Sequence, residues 1–362
     1  MAAKKPSAKK KADAPSSNLR HPCDTLELLG QDEAVAGFSQ ALASGRMPHA
    51  WLITGPKGIG KATFAYRAAR YLLAEAQARG EQLSVDMESA AVRRVQSRSH
   101  TDLLRLESAE GSDIPVEEAR EVNSFLALTP AEGQWRVVII DSIDAMNRNA
   151  ANALLKTLEE PPARTVMLLV SHNPGGLLPT IRSRCRQLHL KPLPRGIFAQ
   201  IVREHAPDAD DELLTAYHIL SGGAPGVALF LLEQEALALY HAFLELFSGG
   251  GKAPEWHKAH ALADQLASKA DAARFEAAQY TLQYLFRQLI RISGGQGVTE
   301  EILEGEAAVL GYIASFRDVT GWLNLWEDAS VLLRDVRRIY LDRKQVLVNI
   351  IAALQPGSSI VK

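Results

Sequence analysis

The stretch Gly55-Pro-Lys-Gly-Ile-Gly60-Lys61-Ala62 has the spacing G-x-x-x-x-G-K of a loop that cradles phosphates. Gly55, Gly58 and Gly60 let backbone N–H groups turn toward an anion beside a helix N-terminus, and Lys61 adds a cation. The following position ordinarily supplies a Ser or Thr hydroxyl to Mg²⁺, and Ala62 offers only a methyl. Thr63 does not replace it, because adjacent helical residues point about 100° apart. Two readings of the loop stay open: a glycine-rich turn kept for the fold, or a cradle that holds a nucleotide weakly. Hydrolysis is not expected of it.

A second candidate is Asp141, which ends the apolar run Val137-Val-Ile-Ile140. A carboxylate there can help hold Mg²⁺ or cap a turn. Ser142 follows, and a serine hydroxyl takes no proton near neutral pH, so general-base help worth about 10²–10⁴ is missing. Asp144 reads as a charge at a helix N-terminus. Metal chemistry finds little else. Cys23 and Cys185 are the only cysteines and lie far apart, which excludes a disulfide framework and a Cys-based zinc site. His49, His100, His172 and His189 fall on different elements without the i, i+4 spacing of a helical metal pair.

The elements that must position these groups read as an α/β unit. His49-Ala-Trp-Leu-Ile-Thr54 predicts a buried strand before the glycine loop, and helical periodicity then runs to about Arg79. Val137–Ile140 predicts a second strand. Ala151, Leu154, Leu155 and Leu158 recur at helical spacing until Pro161-Pro162 stops the helix, and Thr165–Val170 predicts a third strand. Such strands imply a parallel sheet covered on both faces, with ligands at its carboxyl edge. Two prolines between Lys191 and Pro194 mark a boundary, and everything after Ile197 is helical in period. A small helical domain runs to about residue 235, closed by Ser221-Gly-Gly-Ala-Pro-Gly226, and a longer one to the end.

Composition narrows the function classes. The net charge of −2 hides a tail, residues 1–20, with six Lys and Arg and one acid; the remaining 34 basic and 41 acidic residues leave the body at −7. An acidic body is a poor stand-alone DNA clamp, so if DNA is the substrate, partners must help hold it. The tail reads as disordered. No run reaches the roughly 18–20 apolar residues that span a bilayer, and no apolar h-region follows the lysines, so a cytoplasmic protein with no membrane role is expected.

The run Asn149-Ala-Ala-Asn-Ala-Leu-Leu-Lys-Thr-Leu-Glu-Glu-Pro-Pro162, followed by Ile181-Arg-Ser183-Arg184-Cys185, closely resembles bacterial clamp-loader subunits of the γ/τ and δ′ kind, a branch of the AAA+ ATPases. His100-Thr-Asp-Leu-Leu, Val116-Glu-Glu-Ala-Arg-Glu-Val and Leu128-Thr-Pro-Ala-Glu-Gly133 resemble the same family, which covers residues 21–230 well and the rest only by its helical character. The resemblance implies a RecA-like AAA+ domain with a parallel sheet over 21–191, a helical lid over 192–235 and an all-helical collar over 236–362 that joins a five-subunit ring. Ser183-Arg184-Cys185 is similar to that family's SRC motif, whose arginine enters a neighbour's ATP site; such fingers contribute about 10³–10⁵ in rate. Cys185 is then a packed residue beside the finger, and Arg182 and Arg186 are solvated or interfacial.

Departures from the γ/τ pattern point to the δ′ kind. Ala62 replaces the metal-binding hydroxyl, and Ser142 stands where the family's ATPases carry Glu. Gly226 occupies the slot of a sensor arginine, and residues 74–100 lack the four-cysteine zinc module of many members. The expected role is an ATPase-deficient stator that requires no cofactor and binds no zinc. It would work with γ/τ and δ subunits, and through them with the sliding clamp and primed DNA of DNA polymerase III. The rivals are a catalytically active γ/τ-type AAA+ ATPase, and a stand-alone nucleotide sensor or DNA-binding module. No segment resembles a polymerase active site.

Overall fold

The computed structural model describes residues 21–108, 113–249, 253–268, 271–298, 300–338 and 341–360. The basic tail read over 1–20 lies outside them. Five strands form one parallel sheet: β1 (Ala50–Thr54), β2 (Leu103–Glu107), β3 (Arg136–Asp141), β4 (Thr165–Ser171) and β5 (Arg186–His189), in the spatial order β2-β3-β4-β1-β5. The helices of this half are α1 (Asp32–Ala43), α2 (Lys61–Leu73), α3 (Ala90–Gln96), α4 (Val116–Leu126), α5 (Arg148–Glu159) and α6 (Pro179–Arg182). Helices α7 (Arg195–Arg203), α8 (Asp211–Ser221) and α9 (Pro225–Glu233) follow, then α10 (Ala236–Glu245), α11 (Trp256–Ala267), α12 (Ala272–Ser293), α13 (Glu306–Ala314), α14 (Val319–Arg338) and α15 (Arg343–Ala353).

The period of two along each central strand divides the interior into two cores. Trp51 and Ile53, Val137 and Ile139, and Val166, Leu168 and Val170 face α1 and α2, in a core that continues into the later helices. Leu52, Val138, Ile140, Met167 and Leu169 face α4, α5 and α6. This is the three-layer α/β architecture that near-continuous apolar strands require. Helix α5 is capped by Asn147, whose side chain accepts from the Asn149 and Ala150 N–H groups. It is stapled to α4 where Asn123 donates to the Ala153 carbonyl and accepts from the Thr157 hydroxyl.

Two local features depart from the sequence reading. The helix after the glycine loop ends at Leu73 and not near Arg79; a 3₁₀ turn covers Ala76–Ala78. Arg79 folds back to donate to the Leu72 and Ala74 carbonyls, satisfying the acceptors that a continuing helix would have used. Strands β2 and β5 were not anticipated, being short sheet edges with mixed side chains. Over residues 74–100, Leu83, Val92 and Val95 are buried, and the Gln82 carbonyl accepts from Arg67.

Past Pro194 the described residues are helical. Helix α12 is central, with Phe286 against Trp322 and Trp326. The buried Glu306 accepts from the Tyr240 hydroxyl at 2.6 Å and the Ile302 N–H at 2.7 Å. Among the described residues no single helix is long and apolar enough to cross a membrane.

Candidate functional site

The glycine loop leaves β1 at the carboxyl edge of the sheet and enters α2. Its glycines adopt backbone angles that side chains disfavour: Gly55, Gly58 and Gly60 have φ of 141°, 71° and 97°. A Cβ on Gly55 would lie 2.5 Å from the Leu190 carbonyl oxygen, and one on Gly58 would lie 2.5 Å from the Val227 nitrogen.

Within this loop Lys61 turns inward. It is 3% exposed, and its Nζ donates to the Gly55 carbonyl at 2.7 Å and the Pro56 carbonyl at 2.6 Å. Burial pushes its pKa down to about 8, with Asp141 and Asp144 pulling the other way, so it remains an ammonium at neutral pH. The helix α9 N-terminus closes the loop from above. The Gly226 N–H donates to the Gly58 carbonyl at 2.9 Å, and a Cβ on Gly226 would lie 3.0 Å from Gly58 Cα and O. A side chain at 226 would therefore press on the loop backbone at Gly58. Lys57, at the loop's tip, pairs with Glu276 of α12 at 2.9 Å. The phosphate loop is thus tied to both helical regions that follow the sheet.

This packing is measurable. Gly58→Ala should lower stability by about 2–3 kcal/mol, combining left-handed strain with a clash against α9 backbone. Amide exchange at Gly226 and Val227 should accelerate with it. Gly60→Ala is the control, because its Cβ would meet only the flexible Leu28 Cδ1 at 3.0 Å. Equal exchange at 226–227 in both variants would refute the joint.

Neighbouring carboxylates are also committed. Burial raises the Asp141 pKa, reinforced by Glu107 on the adjacent strand and opposed by Lys61. Glu107 pairs with His21 at 3.5 Å and accepts from the Tyr66 hydroxyl, and these contacts hold its pKa down at about 2. Asp144, read as a helix-terminal charge, lies in a 3₁₀ turn and braces the end of β4. It accepts from the Ser171 hydroxyl at 2.8 Å, the His172 N–H at 2.5 Å and the Asn173 N–H at 3.3 Å. Asp144 is therefore occupied by three donors, Ser142 carries no basic group, and Ala62 offers no oxygen ligand.

The histidines serve separate places. His49 meets the Leu158 carbonyl, His100 accepts from the Asp102 N–H, His189 pairs with the Thr54 hydroxyl, and burial pushes His172 down to about 4. His21, Cys23 and Asp24 bring potential metal ligands within 4.8 Å of one another. Yet His21 Nδ1 accepts from the Cys23 N–H and its Nε2 faces Glu107, so the ring is already used.

Ser183, Arg184 and Cys185 lie at the opposite edge. Arg186 is level with Trp51, three residues or about 10 Å before the glycine loop begins after Thr54, and Arg184 precedes it. Cys185 is 8% exposed and burial pushes its thiol up to about 12, so it packs beneath the turn. Arg184 stands half-exposed above it. Its Nη1 donates to the Thr180 carbonyl at 2.9 Å and its Nη2 to Glu159 at 2.7 Å. The structure thus groups Gly55, Gly58, Gly60, Lys61 and Asp141 at one edge and the SRC triplet at the other. Sequence reasoning missed Glu107, Glu159 and the Lys57–Glu276 pair; only Glu159 carried a signal, standing in the run Leu158-Glu-Glu-Pro that was read for its helix stop.

A family model described as DNA polymerase III, delta subunit, matches residues 30–194. DNA polymerase III subunit delta′ of Pseudomonas aeruginosa is 40% identical over 191 residues, 52% of this chain and 57% of that protein. DNA polymerase III subunit tau of Salmonella typhimurium is 35% identical over 172 residues, 48% of this chain and 26% of that protein. The chain therefore spans little more than half of the first relative and about a quarter of the second. A solved gamma subunit-related protein of Thermotoga maritima aligns over 90% of this chain and 98% of its own at 18% identity, with a TM-score of 0.37. The segment 30–194, which holds the glycine loop, the Asp141 strand and the Ser183-Arg184-Cys185 triplet, belongs to the DNA polymerase III clamp-loader family.

Proposed function

We propose that the chain is a δ′-type clamp-loader subunit that hydrolyses no ATP itself and lends Arg184 to the ATP site of a neighbouring γ/τ-type subunit. The observation that carries this reading is the separation of the two motifs. Arg184 lies at the amino edge of the sheet, too far to serve the chain's own glycine loop, and that loop is filled by Lys61 and covered by Gly226. A guanidinium so placed would be available to phosphates brought by another subunit, where it would stabilise the charge developing on the transferred group. Loading of the sliding clamp on primed DNA, within a five-subunit ring that also contains a δ subunit, is the activity this role would support. The body's net charge of −7 favours DNA engagement through partners and not by this chain alone.

The isolated chain, given Mg²⁺ and ATP, should show no turnover above the buffer blank, and Lys61→Ala should leave that result unchanged. Turnover that falls on Lys61→Ala would establish an active motor of γ/τ type instead. Tight ATP binding without turnover would favour the nucleotide-sensor reading.

A further inference from the structure

Arg184 is anchored from below and guided from the side. Ile181 and Cys185, which bracket the turn, are buried, so its backbone is fixed. The guanidinium then meets acceptors of different origin: the Thr180 carbonyl and the Ser183 hydroxyl of its own turn, and Glu159. The Thr180 carbonyl belongs to the same turn, and alone it would leave the far end of the side chain free to swing. Glu159 comes from another element, the last residue of α5. That helix is seated by buried Leu154 and Leu158 and by the Asn123 bonds to Ala153 and Thr157.

An arginine has five N–H donors in a planar fork. Three contacts, from Nη1 to the Thr180 carbonyl and the Ser183 hydroxyl and from Nη2 to Glu159, leave two donors for phosphate oxygens while fixing the plane in which they lie. Glu159 is about half exposed, so water screens the pair and the arginine keeps charge for a stronger anionic partner. We propose that Glu159 is the positioning residue for Arg184, holding its guanidinium in the orientation that addresses the neighbouring ATP site. This rests on the reading of Arg184 as a finger acting in trans.

The test is single-turnover ATP hydrolysis by the full loader, with clamp and primed DNA, carrying wild type, Glu159→Ala, Glu159→Gln, Arg184→Ala or the Glu159→Ala/Arg184→Ala pair. Glu159→Ala should lower the single-turnover rate constant of the affected phase about 3- to 30-fold with ATP binding and complex assembly unchanged, as expected when a reacting group loses orientation. Glu159→Gln keeps an oxygen acceptor and should recover most of the rate. The double variant should be no slower than Arg184→Ala, because Glu159 acts only through the arginine.

A Glu159→Ala rate at or above wild type, beside a slow Arg184→Ala, would overturn the positioning role and leave the finger standing. An additive loss in the double variant, or a loss that accompanies weakened assembly, would overturn it as well. An Arg184→Ala complex at the wild-type rate would remove the finger reading and this proposal with it.

Discussion

In a loader assembled with its partner ATPases, Arg184→Ala should slow hydrolysis at the adjoining ATP site by about 10³–10⁵-fold, the usual contribution of an arginine finger. That range corresponds to roughly 4–7 kcal/mol of transition-state stabilisation. Assembly should be unaffected. The side chain is half-exposed, its pair with Glu159 is a surface pair worth about 1 kcal/mol at most, and the turn is anchored by Ile181 and Cys185. Arg184→Lys should recover only part of the rate, since an ammonium keeps the charge and loses the planar fork. Single-turnover measurement is the proper readout, because other sites in the ring continue to fire and mask the loss in a steady-state average. An unchanged rate at that site would mean Arg184 meets no phosphate.

What the sequence disclosed and what it withheld follow from range. The strand–loop–helix around Gly55–Lys61 was legible because glycine spacing, an apolar run and a helical period coincide within about twenty residues. So was α5, whose buried Ala151, Leu154 and Leu158 repeat at helical spacing before a double proline. The separation of Arg184 from the chain's own loop was only implied by resemblance; the parallel register of β1 with β5 makes it geometric.

Withheld were contacts between residues distant in sequence. Nothing in Gly55–Ala62 announces that Lys61 will satisfy the loop's own carbonyls, or that Gly226, 168 positions after Gly58, will donate to it. The sequence showed Ala62, Ser142 and Gly226 as three separate losses. In the structure Gly226 and the loop form one contact, a close backbone approach that the sequence did not announce. The end of α2 was misjudged for a similar reason: Ala-Glu-Ala-Gln-Ala are good helix formers, and the stop is imposed by Arg79 reaching back. Strands β2 and β5 escaped notice because edge strands bury few residues; in β5 only Leu188 is buried.

Asp102 joins two segments that the sequence showed only as separate family-like stretches, and Asp102→Ala should cost about 3–5 kcal/mol. The carboxylate is fully buried. Its oxygens accept from the Ala131, Glu132 and Gly133 N–H groups at 2.8, 2.9 and 3.3 Å, and lie 3.6 Å from the Arg136 guanidinium. Arg136 in turn donates to the Thr129 and Phe125 carbonyls and lies over the Phe125 ring. Removing the acid would leave three backbone donors unpaired and a buried cation without its counter-charge, a larger loss than any single hydrogen bond. Burial works to raise the Asp102 pKa, but the three N–H groups and Arg136 outweigh it, so the folded value lies below the usual carboxylate range. The sign follows: the contribution is full above the unfolded pKa of about 4 and fades as pH falls through the lower folded value. Wild type should therefore lose stability below about pH 4 partly through this group, while Asp102→Ala, already without it, should show a shallower acid limb. Thermal unfolding across pH 3–7 checks both, with a drop in midpoint on the order of 10 °C expected for the variant at pH 7. A drop under about 2 °C, or parallel pH profiles, would show that the 131–133 loop is held by something other than Asp102.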